Sequence, residues 1–156
     1  SPLQFSSPSL VDNVRDVLAR HAIAPERLTL EITETTAMKD VEASLVILND
    51  LTAMGVHIAI DDFGTGYSSL LYLKRMPATE LKIDRAFVRD LENNTEDAAI
   101  VSSIVALGRS LQLQVVAEGV ETDGQRDYLS ALGCDQLQGY HLGRPMAAED
   151  FLLKVG

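Results

Sequence analysis

Four carboxylates and one amine stand at corresponding places along this sequence: Glu31, the Asp61-Asp62 pair, Glu118 and Lys82. The pair opens the run Asp61-Asp62-Phe63-Gly64-Thr65-Gly66-Tyr67-Ser68-Ser69-Leu70, directly after the apolar stretch Val56-His57-Ile58-Ala59-Ile60. Adjacent carboxylates at a strand end supply the oxygen ligands that hard divalent cations take. The two glycines let the backbone turn sharply beside the charge. Asp and Gly are also ordinary turn residues, so the run by itself admits both a metal site and a plain loop. Four carboxylates with one lysine make a poor Ser or Cys hydrolase. They suit two hard ions, which at about 3.5–4 Å apart clamp the attacking and leaving oxygens of a phosphodiester and generate hydroxide near neutral pH. Asp61 is placed to bridge both ions and Asp62 to reach one. Lys82 either holds the attacking water and offsets charge on phosphorus, or is an inward-pointing lysine paired to a carboxylate.

Other residues carry weaker signals. His21, His57 and His141 show no ligand spacing among themselves, and His21 falls at a helix C-terminus, where it meets the dipole favourably. Cys134 reads as a small core residue. Gly64-Thr65-Gly66 is a fragment of a phosphate loop without its Gly-Lys-Ser/Thr ending. The acidic stretch 90–97 reads as a solvated loop and helix start.

The elements that must position these groups alternate along the chain. Helical spacing is expected over 10–21, with Ser9 as N-cap, and again from Asp40 through Val41, Leu45, Leu48 and Leu51 to a C′ glycine at Gly55. A short helix is expected over 69–74 and longer ones over 96–111 and 147–154, while Thr122 and Gln125 make a capping-box pair for a helix ending at Gly133. Strand patterns fall at 28–33, 56–60, 81–83, 114–117 and 135–138. Five strands each followed by a helix imply parallel pairing with right-handed crossovers.

That pattern leaves a doubly wound open sheet or a (β/α)8 barrel. Glu31, Asp61-Asp62, Glu118 and Gln138 all lie at or near strand C-terminal ends. A barrel brings all such ends to one mouth, whereas an open sheet gathers only those beside its switch point. The barrel is the expected fold. At 156 residues the chain is one domain by size, and it is short for a whole barrel of about 250 residues. About five βα units are present.

A formal net charge of −10 argues against a surface for nucleic-acid polymers. It is compatible with a small phosphate ligand held through metal ions. The lone cysteine fits a reducing compartment, and no apolar run reaches the roughly 18 residues of a membrane span. The opening residues Ser-Pro-Leu-Gln-Phe resemble the middle of a longer chain.

Five segments resemble the EAL domain family, in the family's order and from end to end. They are Leu30-Glu31-Ile32-Thr33-Glu34, the Asp61 to Leu70 loop, Leu81-Lys82-Ile83-Asp84-Arg85, Val116-Ala117-Glu118-Gly119-Val120-Glu121-Thr122, and Leu132-Gly133-Cys134-Asp135-Gln136-Leu137-Gln138-Gly139-Tyr140 with Arg144-Pro145. The resemblance implies a modified TIM-like barrel and a bacterial phosphodiesterase that opens cyclic di-GMP to linear pGpG with two Mg2+ or Mn2+ ions. It implies metal ligation by Glu31, Asp61, Asp62 and Glu118, water orientation by Lys82, and support of metals, water or substrate by Glu121 and Gln138. It further implies that Glu34 anchors the loop Phe63, Gly64, Thr65 and Gly66, where such domains dimerise and receive regulation.

The family's Glu-X-Leu-X-Arg segment and its Asn-X-Ser strand are not in these 156 residues. The expectation is therefore residues 1–156 as a partial domain, inactive alone, with N-terminal barrel strands missing. Two parallel edges would then be exposed to association. The resemblance also implies a homodimer in the cytoplasm, with any membrane attachment through other domains of the parent. The alternative function is a degenerate EAL domain serving as a cyclic di-GMP receptor or a regulatory dimerisation module.

Overall fold

A computed structural model describes residues 2–66 and 70–155. Two helices, α1 (Pro2–Phe5) and α2 (Leu10–His21), and a 3-10 turn (Pro25–Arg27) lead into β1 (Thr29–Thr33). Then come α3 (Glu34–Lys39), α4 (Val41–Ala53), β2 (His57–Phe63), α5 (Leu70–Arg75), β3 (Glu80–Ile83), α6 (Arg85–Arg89) and α7 (Thr95–Ser110). The chain ends with β4 (Gln114–Ala117), α8 (Asp123–Leu132), β5 (Gln136–Leu137) and α9 (Ala148–Val155).

The strands form one parallel sheet in the order β1-β2-β3-β4-β5. Each strand pairs with its neighbour in sequence, so the order never reverses. A doubly wound sheet needs such a reversal at its switch point; an unbroken order is the arc of a (β/α) barrel, as the sequence predicts. Both faces of the central strands β2 and β3 are covered, as parallel sheets require. Ile58, Ala59 and Ile60 are all fully buried, as are Leu81 and Ile83.

The helices obey the local signals. The Asp40 side chain accepts from Ala43 N at 3.2 Å and starts α4, whose Leu45, Leu48 and Leu51 enter the core. Gly55, at φ +99°, closes it in the left-handed region. Thr122 and Gln125 complete a capping box on α8, and Gly133 ends it at φ +80°.

Four expectations need correction. Ser9 occupies the N-cap position of α2 without a side-chain capping bond; its hydroxyl accepts instead from the Asn13 amide at 3.1 Å. Asp61 and Asp62 lie inside β2, not in a loop after it. The strand expected over 135–138 is reduced to the two residues of β5. Three short helices, α1, α3 and α6, went unanticipated because none is long enough to show apolar periodicity. Of the helix expected at 69–74, Ser69 lies outside the described residues, and the rest is α5.

Candidate active site at the carboxyl ends of the strands

Lys82 is the centre of the site. It lies in β3 between Leu81 and Ile83, and side chains alternate across a strand. The two neighbours therefore pack outward against the helices while Lys82 points into the arc. The lysine is 5% exposed. Its Nζ lies 2.7 Å from Glu31 Oε1, 3.3 Å from Asp61 Oδ1 and 2.5 Å from Glu118 Oε1. Those partners come from β1, from β2 and from the residue after β4. The register places them: Thr33 pairs Asp61, Lys82 pairs Val116, and Glu118 N donates to Ile83 O at 3.2 Å to continue the ladder. Burial, the largest single influence on this ammonium, would lower its pKa. Hydrogen bonds to Glu118 and Glu31, with the charges of Glu118 and Asp61, outweigh burial and raise it. Lys82 is a protonated cation at any physiological pH.

Asp61 and Asp62 are adjacent, so regular alternation would send them to opposite faces. A register shift in the β2–β3 pairing between Ile60 and Phe63 breaks that alternation. Asp62 takes φ +54°, which Asp tolerates better than most residues. Its carboxyl group is thereby turned to hydrogen-bond Asp84 and to feel Asp61 and Glu118. Burial, the Asp84 hydrogen bond and then these charges raise the Asp62 pKa.

Asp84 is the site residue that sequence reasoning missed. Its oxygen also caps α6, accepting from Ala86 N at 2.6 Å. The available signal was its place two residues beyond Lys82, on the same side of the chain.

Glu34 opens α3 and is 1% exposed. Its Oε2 accepts from Gly64 N at 2.9 Å, across 30 residues of sequence. A Cβ on Gly66 would stand 2.7 Å from Glu34 Oε1, so the loop backbone lies directly on the carboxylate. Phe63 is buried, Gly64 takes φ +98°, and the Thr65 hydroxyl donates to Asp62 O at 2.8 Å. Residues 67–69 of the expected loop lie outside the described residues.

Glu121 and Gln138 are exposed beside the mouth. Among the described residues no hydrogen bond joins their side chains to the Lys82 cluster. Their backbones fix their places: Gln138 N donates to Ala117 O at 2.8 Å, and Val120 N to Gln138 O at 3.0 Å. Cys134 packs against the core, and burial, aided by Asp135 and opposed by Arg109, pushes its thiol up to about 11. It is a structural thiol.

Do these residues fit divalent cations? The donors are hard carboxylate oxygens, and Glu31, Asp61 and Glu118 already converge on a cation, the Lys82 ammonium. Asp62 and Asp84 add two more carboxyl groups against that single positive charge. With the lysine set aside, no three His, Cys, Asp or Glu among the described residues close round one point tightly enough to hold an ion. The fit is one of donor chemistry and charge.

The EAL domain family model matches residues 1–145 of this chain. The chain is 63% identical over 155 residues to the bifunctional diguanylate cyclase/cyclic di-GMP phosphodiesterase MucR of Pseudomonas aeruginosa, covering 99% of this chain and 23% of that protein. It superimposes on a solved structure of the PaMucR phosphodiesterase in complex with c-di-GMP with a TM-score of 0.95 and 64% identity, over 97% of this chain and 61% of that one. A manganese/cyclic di-GMP complex of Klebsiella pneumoniae BlrP1 aligns with a TM-score of 0.83 and 34% identity, over 91% of this chain and 36% of that one. The chain thus spans less than two thirds of each of these relatives.

Proposed function

Because the chain belongs to the EAL domain family, we propose that its site serves the divalent-cation-dependent hydrolysis of cyclic di-GMP to linear pGpG. The observation that carries this reading is the convergence of Glu31, Asp61 and Glu118, from three elements, on the buried cation Lys82. A purely structural lysine needs one carboxylate partner, not three.

In this reading Glu31, Asp61, Asp62 and Glu118 hold two Mg2+ or Mn2+ ions, and Asp84 reaches them through Asp62. Bound ions would supply Lewis-acid polarisation of the phosphodiester and a low-pKa water. Lys82, kept protonated by its three partners, donates hydrogen bonds that orient that water or meet charge growing on the phosphoryl oxygens. Ala59 and Val116, the buried register partners of Glu31 and Lys82, keep water out of the floor of the site. Glu121 and Gln138 flank the mouth and contact water or substrate. The loop Phe63 to Gly66, held by Glu34, forms the surface for a homodimer and for regulation, and the site works in the cytoplasm. A receptor that binds without cutting is not favoured, since the four proposed ligands and Lys82 are all retained.

The test is chromatographic: cyclic di-GMP is incubated with the full natural polypeptide carrying this domain, with Mg2+, with Mn2+ and with EDTA. Linear pGpG formed only with metal supports the proposal. Nucleotide binding without any cleavage in either metal would replace it with the receptor reading.

A further inference from the structure

The loop from Glu118 to Thr122 carries two proposed site residues on a three-residue spacing, and something must hold it still. We propose that Gln125 is the positioning residue for this loop, fixing Glu118 and Glu121 against the site. The inference rests on the phosphodiesterase reading above. In a capping box the N3 side chain needs only the N-cap amide. Here the Gln125 Oε1 accepts from Thr122 N at 3.1 Å and also from Glu121 N at 2.7 Å. Its amide nitrogen donates to Arg89 O at 3.1 Å, at the C-terminal end of α6. The side chain is 3% exposed, so these three bonds form away from competing water. Gln125 therefore ties the loop after β4 to the helix after β3, the strand that carries Lys82.

The surroundings complete the clamp. Glu92 Oε2 accepts from the Thr122 hydroxyl at 2.7 Å. Val120 is fully buried, donates to Gln138 O at 3.0 Å and accepts from His141 N at 3.0 Å. A Cβ on Gly139 would meet Val120 O at 2.1 Å, and one on Gly119 would meet Arg85 Cβ at 2.6 Å. The loop is held from α6, from its own helix and from the turn after β5. Among the described residues, the hydrogen bond of the Glu121 amide goes to Gln125.

The experiment compares Gln125→Met and Gln125→Glu with the unsubstituted full polypeptide. Met keeps the volume and loses all three bonds; Glu keeps the acceptor oxygen and, protonated, a donor toward Arg89. Three readouts are taken well below the unfolding transition: Mn2+ affinity by electron paramagnetic resonance, the kcat and KM of hydrolysis, and amide exchange at Glu121 and Thr122. Loss of a supporting outer-shell partner typically costs about 10- to 100-fold in metal affinity or activity. Gln125→Met should weaken Mn2+ binding by about 10-fold and lower kcat by a similar factor. KM should stay within about 3-fold, with faster exchange at both amides, and Gln125→Glu should recover most of the loss. Mn2+ affinity and kcat within about 2-fold of the unsubstituted protein, with only a lowered melting temperature, would overturn the positioning role. Hydrolysis absent from the unsubstituted protein would overturn the phosphodiesterase reading instead, and the Mn2+ comparison would still decide Gln125. Failure of the unsubstituted protein to bind Mn2+ would overturn both.

Discussion

Two loops flank the carboxylates of this site, and they are fastened in opposite ways. The loop after Asp62 is held from a distance: Glu34, at the start of α3, accepts from Gly64 N across 30 residues of sequence. The loop after β4 is held mainly from nearby, by Gln125 of the helix it enters. The first tether is a single acidic side chain on a short helix, so motion of α3 is passed to the loop beside Asp62. The second is a neutral network of several bonds and close backbone contacts that resists such motion. In the proposed reading, the contrast separates a loop that transmits regulation from one that serves fixed chemistry.

Removing the groups that both loops serve should have the largest effect. Asp61→Asn should lower turnover by about a thousandfold or more, because the proposed bridging ligand of both ions is lost. Single-turnover hydrolysis measures it, and near-normal turnover would dismiss the two-ion assignment.

Lys82→Met should lower turnover by about a hundredfold, the scale of a lost proton-handling or water-orienting group. It should also cost about 2 kcal/mol of stability in metal-free protein, since three partly exposed carboxylates lose their common partner. Added Mn2+ should restore part of that stability in urea unfolding. A variant as stable as the parent without metal would mean that the lysine is not their counterion.

Glu34→Ala sharpens the comparison of the loops. It removes one buried charge-assisted bond, about 2 kcal/mol locally, and should raise amide exchange at Gly64 while leaving that at Glu121 unchanged. Turnover should fall about 10-fold through misplacement of Asp62, with one ion still bound. Equal loosening of both loops would erase the distinction drawn between them.

The smallest effect is one of pH. Asp62 has its pKa raised above the ordinary 3.8. Its protonated form is thus favoured by folding, so its contribution to stability is present below that ordinary value and is lost as pH rises through the folded one. A divalent cation relieves the resulting repulsion. The melting-temperature gain on adding Mn2+ should therefore be smaller near pH 4.5 than near pH 7.5, by a few degrees. An equal gain at both would show that the Asp62–Asp84 pair does not sense the ion.

Much of this arrangement was legible in the sequence, and the exceptions have physical causes. Strand positions followed from short apolar runs, and the barrel arc from the placement of Glu31, Asp61, Glu118 and Gln138 at strand ends. Lys82 read equally as catalytic or structural, because a sequence does not show how many carboxylates a lysine meets. Three converge on it, a feature that the register of β1 to β4 creates. Asp84 escaped notice because its cap serves a helix too short to show in the sequence, and its approach to Asp62 follows a register shift with no sequence signature. Gln125 was visible as a capping residue, but its reach to Arg89 joins helices 36 positions apart. Helices α1, α3 and α6 were hidden by their brevity.

The most direct check of the two-ion site is anomalous X-ray scattering from crystals of the full polypeptide grown with Mn2+ and cyclic di-GMP. Two manganese peaks about 3.5–4 Å apart, both touching Asp61 and flanked by Glu31, Asp62 and Glu118, are the predicted result. Manganese bound elsewhere, with Lys82 still bridging Glu31, Asp61 and Glu118, would contradict it.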